Sequence, residues 1–403
     1  MWSQGELSDG ISDRLHPLAA KHHERMGSNL LPQSLPIIVL SGCVTRSLFF
    51  FSMSLVALIT GTNSNLGLNI AYRLLAEVPS ETRLTIIVTS RTLPKAIEAI
   101  NKIKEHNEKH VRRKAILDFD YVLVDFSNMV SILAAIHELK KMHRKLDYLF
   151  VNAAQGVYSG IDWIQATKEV LASPVQASTF PTYKIQKVGV RSADGLGLVF
   201  QANVFGPYYF VQHLAEPLLS HSENPRVVWI SSIMSKPSFL SFDDLQLLRS
   251  DISYEGSKRL VDLLHLGTYK ELKSKYGINQ YLTHPGIFTS FSFFQYLNPL
   301  TFYGMLLMFY VARLCGSPWH NISGWKGANA PIFVCLEAKP ELDLQEKKYG
   351  SACTITGKEY LKIAEIDATG QADVAKYFKD LKLQWDEKLK NQIADTRKVY
   401  ADD

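Results

Sequence analysis

An apolar run that ends in a glycine turn and leads straight into a helix leaves a chain few ways to fold, and residues 54–76 have that form. Val56-Ala57-Leu58-Ile59 carries no polar side chain, as a strand buried on both faces requires. Thr60-Gly61-Thr62-Asn63-Ser64-Asn65-Leu66-Gly67-Leu68 follows. Glycines in such a turn let the backbone approach a phosphate, and the amides of the helix N-terminus can bind it. The alternation continues with a helix over 66–76, a strand over 84–89, a helix over 94–105, a strand over 118–124, a helix over 129–142 and a strand over 148–152. A long helix containing Asn203, a strand over 226–230, a helix over 254–273 and a strand over 279–283 extend it. Strands that alternate with helices pair in parallel, with helices on both faces.

The fold class expected is therefore α/β, a doubly wound parallel sheet of the Rossmann type. A hydrophobic fraction of 46% with 21% charged residues suits one large core and excludes a disordered or polytopic chain. The net charge of +5 is spread out except at Arg112, Arg113 and Lys114, which gives no basis for nucleic-acid binding. Cys43, Cys315, Cys335 and Cys353 show neither a CxxC pair nor histidine partners at ligand spacing. No metal site and no disulfide framework is expected, and the thiols read as reduced, buried and facing a cytosolic environment.

The loop reads as a dinucleotide site, with Thr60, Gly61, Asn63, Ser64, Asn65, Leu66 and Gly67 on the cofactor. Asn65 stands where a glycine would relax the backbone, and asparagine tolerates left-handed geometry. The residue beyond the second strand meets the adenosine ribose in this fold. A carboxylate there would bind a 2′-hydroxyl; Ser90 and Arg91 instead offer a hydroxyl and a fixed cation suited to a 2′-phosphate, so the cofactor expected is NADP(H). Asp125 is placed to accept from the adenine amino group, and Asn152-Ala153-Ala154 sets small residues beside the cofactor.

A carbonyl reductase needs a proton donor at the substrate oxygen, and a tyrosine serves near neutrality when a cation lowers its pKa. Tyr254-Glu255-Gly256-Ser257-Lys258 sets an ammonium one helical turn from a phenol, where it also can hold the nicotinamide ribose. Tyr183 with Lys187 and Tyr269 with Lys273 have the same spacing. Only Tyr254 follows a strand that ends in Ser231-Ser232, from which a hydroxyl can point at the same carbonyl.

This ordered set, with Asn203 and Pro285-Gly286, resembles the short-chain dehydrogenases/reductases over roughly residues 54 to 290. The resemblance implies that Ser232 rather than Ser231 hydrogen-bonds the substrate oxygen. It also implies that Asn203 holds a helix open and positions a water for proton relay to Lys258; on the residues alone Asn203 is equally a satisfied buried amide. Pro285, Gly286, Ile287, Thr289 and Ser290 are expected on the cofactor, as are Tyr254 and Lys258. Asn65 replaces the family's middle glycine, and the Ser232 to Tyr254 gap is long, which implies an insertion at 236–250 beside the substrate mouth.

Less common stretches, Gly160-Ile161-Asp162-Trp163, Pro181-Thr182-Tyr183-Lys184-Ile185-Gln186, Phe200 through Tyr209, and His284-Pro285-Gly286-Ile287-Phe288, are similar to fungal 3-keto-steroid reductases of ergosterol synthesis. What this implies is NADPH-dependent reduction of a zymosterone-type ketone to the 3β-alcohol, in company with C4-demethylating enzymes and oxidosqualene cyclase. Another lipophilic ketone or aldehyde would use the same catalytic residues, and a scaffold holding sterol enzymes together with little activity is the alternative outside enzymology.

From Tyr276 to Ala312 no Asp, Glu, Lys or Arg occurs. Phe291, Leu297, Phe302, Leu306 and Phe309 make this stretch strongly apolar, yet its densest part is shorter than the ~20 residues a spanning helix needs. An interfacial helix on the cytosolic face of the endoplasmic reticulum or on lipid droplets, with Phe302, Leu306 and Phe309 toward lipid, competes with a core helix lining a sterol pocket. The domain reading is an N-terminal extension over 1–52, poorly ordered and without catalytic function or an upstream start before Met53; an NADP-binding catalytic core over 53–290; an apolar lid or membrane segment with a return helix over 291–336; and a C-terminal extension over 337–403, whose helix 372–390 reads as exposed and amphipathic. The apolar run 35–58 supplies the first strand at its end, and 35–52 stays open between extension and signal or membrane segment.

Overall fold

The computed structural model describes residues 54–289 and 298–392. The expected N-terminal extension, Ser290, and the Phe291 and Leu297 end of the apolar segment lie outside the described residues.

The first half follows the expected alternation: β1 (Ser54–Ile59), α1 (Asn65–Glu77), β2 (Arg83–Ser90), α2 (Leu93–His106), β3 (Leu117–Leu123), α3 (Met129–Met142) and β4 (Tyr148–Val151). A hairpin not foreseen in the sequence comes next, β5 (Tyr158–Ile161) and β6 (Lys184–Gln186), with α4 (Trp163–Ala172) and α5 (Pro174–Thr179) between its strands. The helix expected around Asn203 is α6 (Leu198–Phe200), a π-turn over Gln201–Phe205, and α7 (Gly206–Ala215). Pro207 has no N–H to close an α-turn on the Asn203 carbonyl, and the helix widens there. Then come β7 (Arg226–Ile230), α8 (Ser253–Tyr276), β8 (Asn279–His284) and β9 (Ile287–Phe288). The chain continues with α9 (Pro299–Leu314), β10 (His320–Ile322), α10 (Gly324–Gly327), α11 (Asn329–Leu336), β11 (Lys348–Cys353), β12 (Glu359–Ala364) and α12 (Gln371–Leu389). The insertion expected after Ser232 forms two 3-10 turns, Pro237–Phe239 and Phe242–Asp244.

The main sheet has eight strands in the order β12-β11-β8-β7-β4-β1-β2-β3, parallel except for the antiparallel β11–β12 pair. Its central strands are buried on both faces, which is why β1, β4 and β7 read as unbroken apolar runs. The edge strands differ: β3 carries Asp118 and Asp120 and β12 carries Glu359 and Lys362, charges that discourage pairing with another chain. Two apolar cores lie on opposite faces of the sheet, one under α3, α7, α8 and α12, the other under α1, α2 and α11. Connections leave β1 and β4 in opposite directions, so a crevice opens between them at their C-terminal ends.

Helix α12 is amphipathic as expected but is not an exposed appendage. Its apolar stripe, Val374, Phe378, Leu381, Trp385 and Leu389, is buried in the first core. Phe378 is wholly buried, with ring centroids 5.4 Å from Phe200 and 5.5 Å from Tyr208. The thiols of Cys335 and Cys353 are buried as expected, whereas Cys315, past the end of α9, is exposed. Phe378→Ala is expected to cost about 3–5 kcal/mol in a denaturant-unfolding measurement; a cost under about 1 kcal/mol would show that α12 is not part of the core.

Candidate active site

At the crevice the side chains of two loops are knitted together. Thr60 Oγ1 accepts from the amides of Asn152 at 2.7 Å and Ala153 at 2.9 Å and donates to the Phe150 carbonyl. Asn152 Nδ2 donates to the Thr60 carbonyl at 2.8 Å and reaches Gly61 O and Ser64 Oγ at 3.2 Å. Thr89 Oγ1 accepts from the Gly61 amide at 2.9 Å, and Thr62 Oγ1 accepts from the Thr89 amide at 3.0 Å. These buried hydroxyls serve the backbone, which a buried loop demands.

The cavity they frame measures about 590 Å³ and is lined by Gly61, Asn63, Ser64, Asn65, Ser90, Arg91, Asp125, Asn152 and Ala153 of the expected cofactor residues. Thr89, Lys95, Ala154, Gln155 and Ala202 complete much of the wall. Thr60, Leu66 and Gly67 are not on that lining. Gly67 instead allows α1 to sit against the loop, because a Cβ there would lie 2.5 Å from Gly61 O. Gly61 has φ of +64°, and its own Cβ would meet Ala153 Cα at 3.1 Å. The Leu66 side chain enters the second core. Ser64 caps α1 by accepting from the Gly67 amide, and the first amides of a helix, here Asn65 and Leu66, have no intrahelical partner and suit a pyrophosphate.

Asn65 departs from expectation. It is helical, and the non-glycine residues with positive φ are Arg112, Leu247 and Ile322 among the described residues. Its side chain is what the site uses: Nδ2 donates to the Thr289 carbonyl at 2.6 Å, tying the loop to the segment after β8, and Oδ1 accepts from Asn69. Pro285, Gly286, Ile287 and Thr289 lie off the cavity lining, and their backbone groups are largely spent on the β10 segment. At the far end of the cavity Arg91 is exposed, Ser90 is buried, and Asp125 Oδ1 accepts from Ser127 N and Oγ. A glycine cradle, free helix amides and two cations, Arg91 and Lys95, on one wall fit a phosphorylated dinucleotide.

Tyr254, Lys258 and Asp262 stand at successive turns of one face of α8. The first turn of α8 has no side-chain cap of its own, since Ile252 is the N-cap. Gln186 of β6 supplies it: Oε1 accepts from the Tyr254 amide at 2.9 Å and from Ser253 Oγ, while Nε2 donates to the buried Glu255 carboxylate at 2.6 Å. The unforeseen hairpin thus fixes the start of the helix, and its Tyr158 ring lies 6.3 Å from that of Tyr254.

Lys258 Nζ donates to the Ile230 carbonyl at 2.9 Å and lies 5.6 Å from the Tyr254 ring centroid. The expectation of a phenol depressed overall is not met. Burial, then the Glu255 charge, pushes Tyr254 up to about 12, while burial and then the Lys348 ammonium hold Lys258 down to about 8. The phenol is therefore fully protonated at neutral pH.

Ser231 and Ser232 are separated by their bonds. Ser231 is buried with its hydroxyl on Asp262, whereas Ser232 is only half-buried and its Oγ accepts from the Met234 amide at 3.0 Å. Asn203 is buried in the π-turn; Oδ1 accepts from Gln155 N at 2.8 Å, and Nδ2 donates to Gln155 O at 2.8 Å and Ser257 Oγ at 3.1 Å. It joins the cavity wall to α8. The rival pairs are otherwise engaged: Tyr183 donates to the Ala177 carbonyl, and Lys273 donates to Asn279 Oδ1. Sequence reasoning missed Lys95, Gln186 and Lys348; only Lys95, in the first turn after the adenosine strand, left a local signal.

Among the described residues no group of three or more His, Cys, Asp and Glu could hold a metal ion. The chain matches the short chain dehydrogenase family over residues 55–295. It is 62% identical over 346 residues to the 3-keto-steroid reductase of Kluyveromyces lactis, covering 86% of this chain and 99% of that one. It is 58% identical over 343 residues to the 3-keto-steroid reductase ERG27 of Saccharomyces cerevisiae, covering 85% and 98%. Among solved structures, L-sorbose reductase from Gluconobacter frateurii aligns with a TM-score of 0.48 at 17% identity, covering 71% of this chain and 90% of that one.

Proposed function

Because this chain belongs to the short chain dehydrogenase family, we propose that it is an NADPH-dependent reductase of the 3-keto group of a C4-demethylated, zymosterone-type sterol, forming the 3β-hydroxyl in ergosterol biosynthesis. The observation that carries the reading is similarity to the named 3-keto-steroid reductases, over 86% of this chain and 99% of the Kluyveromyces lactis protein; it is supported by Lys258, which reaches the Ile230 carbonyl at the end of β7 and lies 5.6 Å from the Tyr254 ring centroid.

The loop of Gly61 to Gly67 would hold the pyrophosphate, and Ser90, Arg91 and Lys95 the 2′-phosphate. These residues would hold NADPH, whose chemistry when bound would be hydride donation to the carbonyl carbon. Tyr254 donates its phenolic proton to the carbonyl oxygen, from a phenol kept protonated by burial. Ser232 Oγ holds that oxygen by a hydrogen bond. The Lys258 ammonium stabilises the phenolate left on Tyr254, and Asn203 fixes the spacing between the cofactor wall and α8.

No helix of the described residues is long and apolar enough to cross a membrane. On α9, Leu300, Tyr303, Leu307, Tyr310 and Leu314 form an exposed apolar stripe, while Phe309 is buried and Phe302 and Leu306 are half-buried. The face proposed to meet lipid is therefore not the one expected from the sequence, because a helix apolar on all sides does not announce which side is covered. Helix α9 packs on α5, next to α4 with its exposed Trp163, Ile164 and Leu171. This aromatic-bearing surface supports interfacial docking on the cytosolic face of the endoplasmic reticulum or on lipid droplets, where a sterol ketone and the C4-demethylating enzymes and oxidosqualene cyclase would be met.

With detergent-dispersed 3-keto sterol, Tyr254→Phe is expected to lower NADPH oxidation about 10²–10⁴-fold. Turnover of the sterol unchanged by Tyr254→Phe would sink the assignment, and turnover only with a retinal control would move the substrate class. The triple variant Leu300→Ser, Tyr303→Ser, Leu307→Ser is expected to stay folded and keep activity in detergent yet stop sedimenting with anionic phospholipid vesicles; undiminished sedimentation would refute the lipid surface.

A further inference from the structure

One helical turn beyond Lys258 stands a charged side chain that the mechanism above leaves unused. Asp262 is 3% exposed, and Lys348, which meets it from β11, is 7% exposed. Apolar residues of similar volume usually serve a core as well as a buried ion pair does, so packing alone does not explain the pair.

Its bonds do. Lys348 Nζ donates to Asp262 Oδ2 at 2.7 Å, to the Ser232 carbonyl at 2.7 Å and to Ser235 Oγ at 2.6 Å. Asp262 accepts from Ser231 Oγ at 2.5 Å and from Ser235 Oγ at 2.7 Å. Lys258 meanwhile holds the Ile230 carbonyl. The peptide carbonyls at 230 and 232, on either side of Ser231, are thus each gripped by an ammonium, one from α8 and one from β11. Ser232 Oγ has accepted from Met234 N, which leaves its proton for another acceptor in a direction set by this turn.

We propose that Asp262 and Lys348 are positioning residues for the reduction: they lock the turn that presents Ser232 and set the electrostatic surroundings of Lys258. This rests on the roles given above to Tyr254, Ser232 and Lys258. The groups facing Lys258 are Tyr254 and Asp262 on its own helix and Lys348 on β11; nearby, His265 of α8 and His284 of β8 are held neutral by burial, with the Lys348 charge adding to it. Asp262 favours the Lys258 ammonium and Lys348 opposes it. The two single neutralisations are therefore expected to move Lys258 in opposite directions.

The test uses the full chain with NADPH and the detergent-dispersed 3-keto sterol. In the double variant Asp262→Leu/Lys348→Met both charges of the pair are removed together, so neither is left facing an apolar partner; it is expected to unfold at a temperature close to that of the wild type and to bind NADPH equally well. Its kcat is expected to fall at least about tenfold with KM little changed. The alkaline limb of kcat/KM, set by loss of the Lys258 proton, is expected to move to lower pH in Asp262→Asn and to higher pH in Lys348→Met. A folded double variant with wild-type kcat overturns the proposal. Should the double variant not fold, alkaline limbs that fail to move apart in the near-isosteric singles overturn it equally. Tyr254→Phe in the same assay separates the two levels: if it is inactive while the pair variants behave as wild type, this inference alone fails, and if it is fully active the underlying site assignment fails.

Discussion

Backbone groups at the C-terminal ends of β1 and β4 must be hydrogen-bonded before anything can be built over them, and three small polar side chains do this. Thr60, Thr89 and Asn152 occupy the amides and carbonyls that the strands leave behind, and so hold the glycine loop and the loop after β4 at a fixed separation. The cavity between those loops follows from that separation. Without these bonds the loops would carry buried unpaired groups, each costing about 1–3 kcal/mol, and the first turn of α1 would lose its place.

The proposed acid and its cation depend on α8, which lies outside the lining of that cavity. Its start is capped from the β5–β6 hairpin through Gln186, its second turn is braced by Asn203 through Ser257, and its charged face is closed by Lys348. Tyr254 and Lys258 therefore hang on one rigid helix, held at several points by elements distant in sequence. Burial has opposite consequences for its two titrating groups: it keeps the Tyr254 phenol protonated and weakens the Lys258 ammonium. An acid that is always loaded, beside a cation that is lost in mild alkali, suits proton delivery to a nascent alkoxide near neutrality.

Much of this was legible in the chain, and what was not has a physical reason. The alternating strands and helices, the glycine loop and the Tyr254–Lys258 spacing depend on local pattern, and the sheet follows from them. The role of Asn65 was misread because its side-chain partner, Thr289, lies 224 residues away. Lys348 left no local mark for the same reason, and Gln186, though inside one of the distinctive stretches, gave no sign of its role; each acts only once the tertiary structure brings it to α8. Helix α12 showed its stripe but not the core that receives it, and α9, apolar all round, gave no clue to which face would be covered. Patterns of period two and 3.6 reveal elements, whereas the partner of a polar group is decided by topology.

Tyr254 and Ser232 are proposed to converge on one substrate oxygen. A ternary structure with NADP⁺ and a 3-keto sterol tests it most directly. The ketone oxygen is expected within about 2.6–3.2 Å of both Tyr254 Oη and Ser232 Oγ. A sterol seated with that oxygen out of reach of both hydroxyls would contradict it.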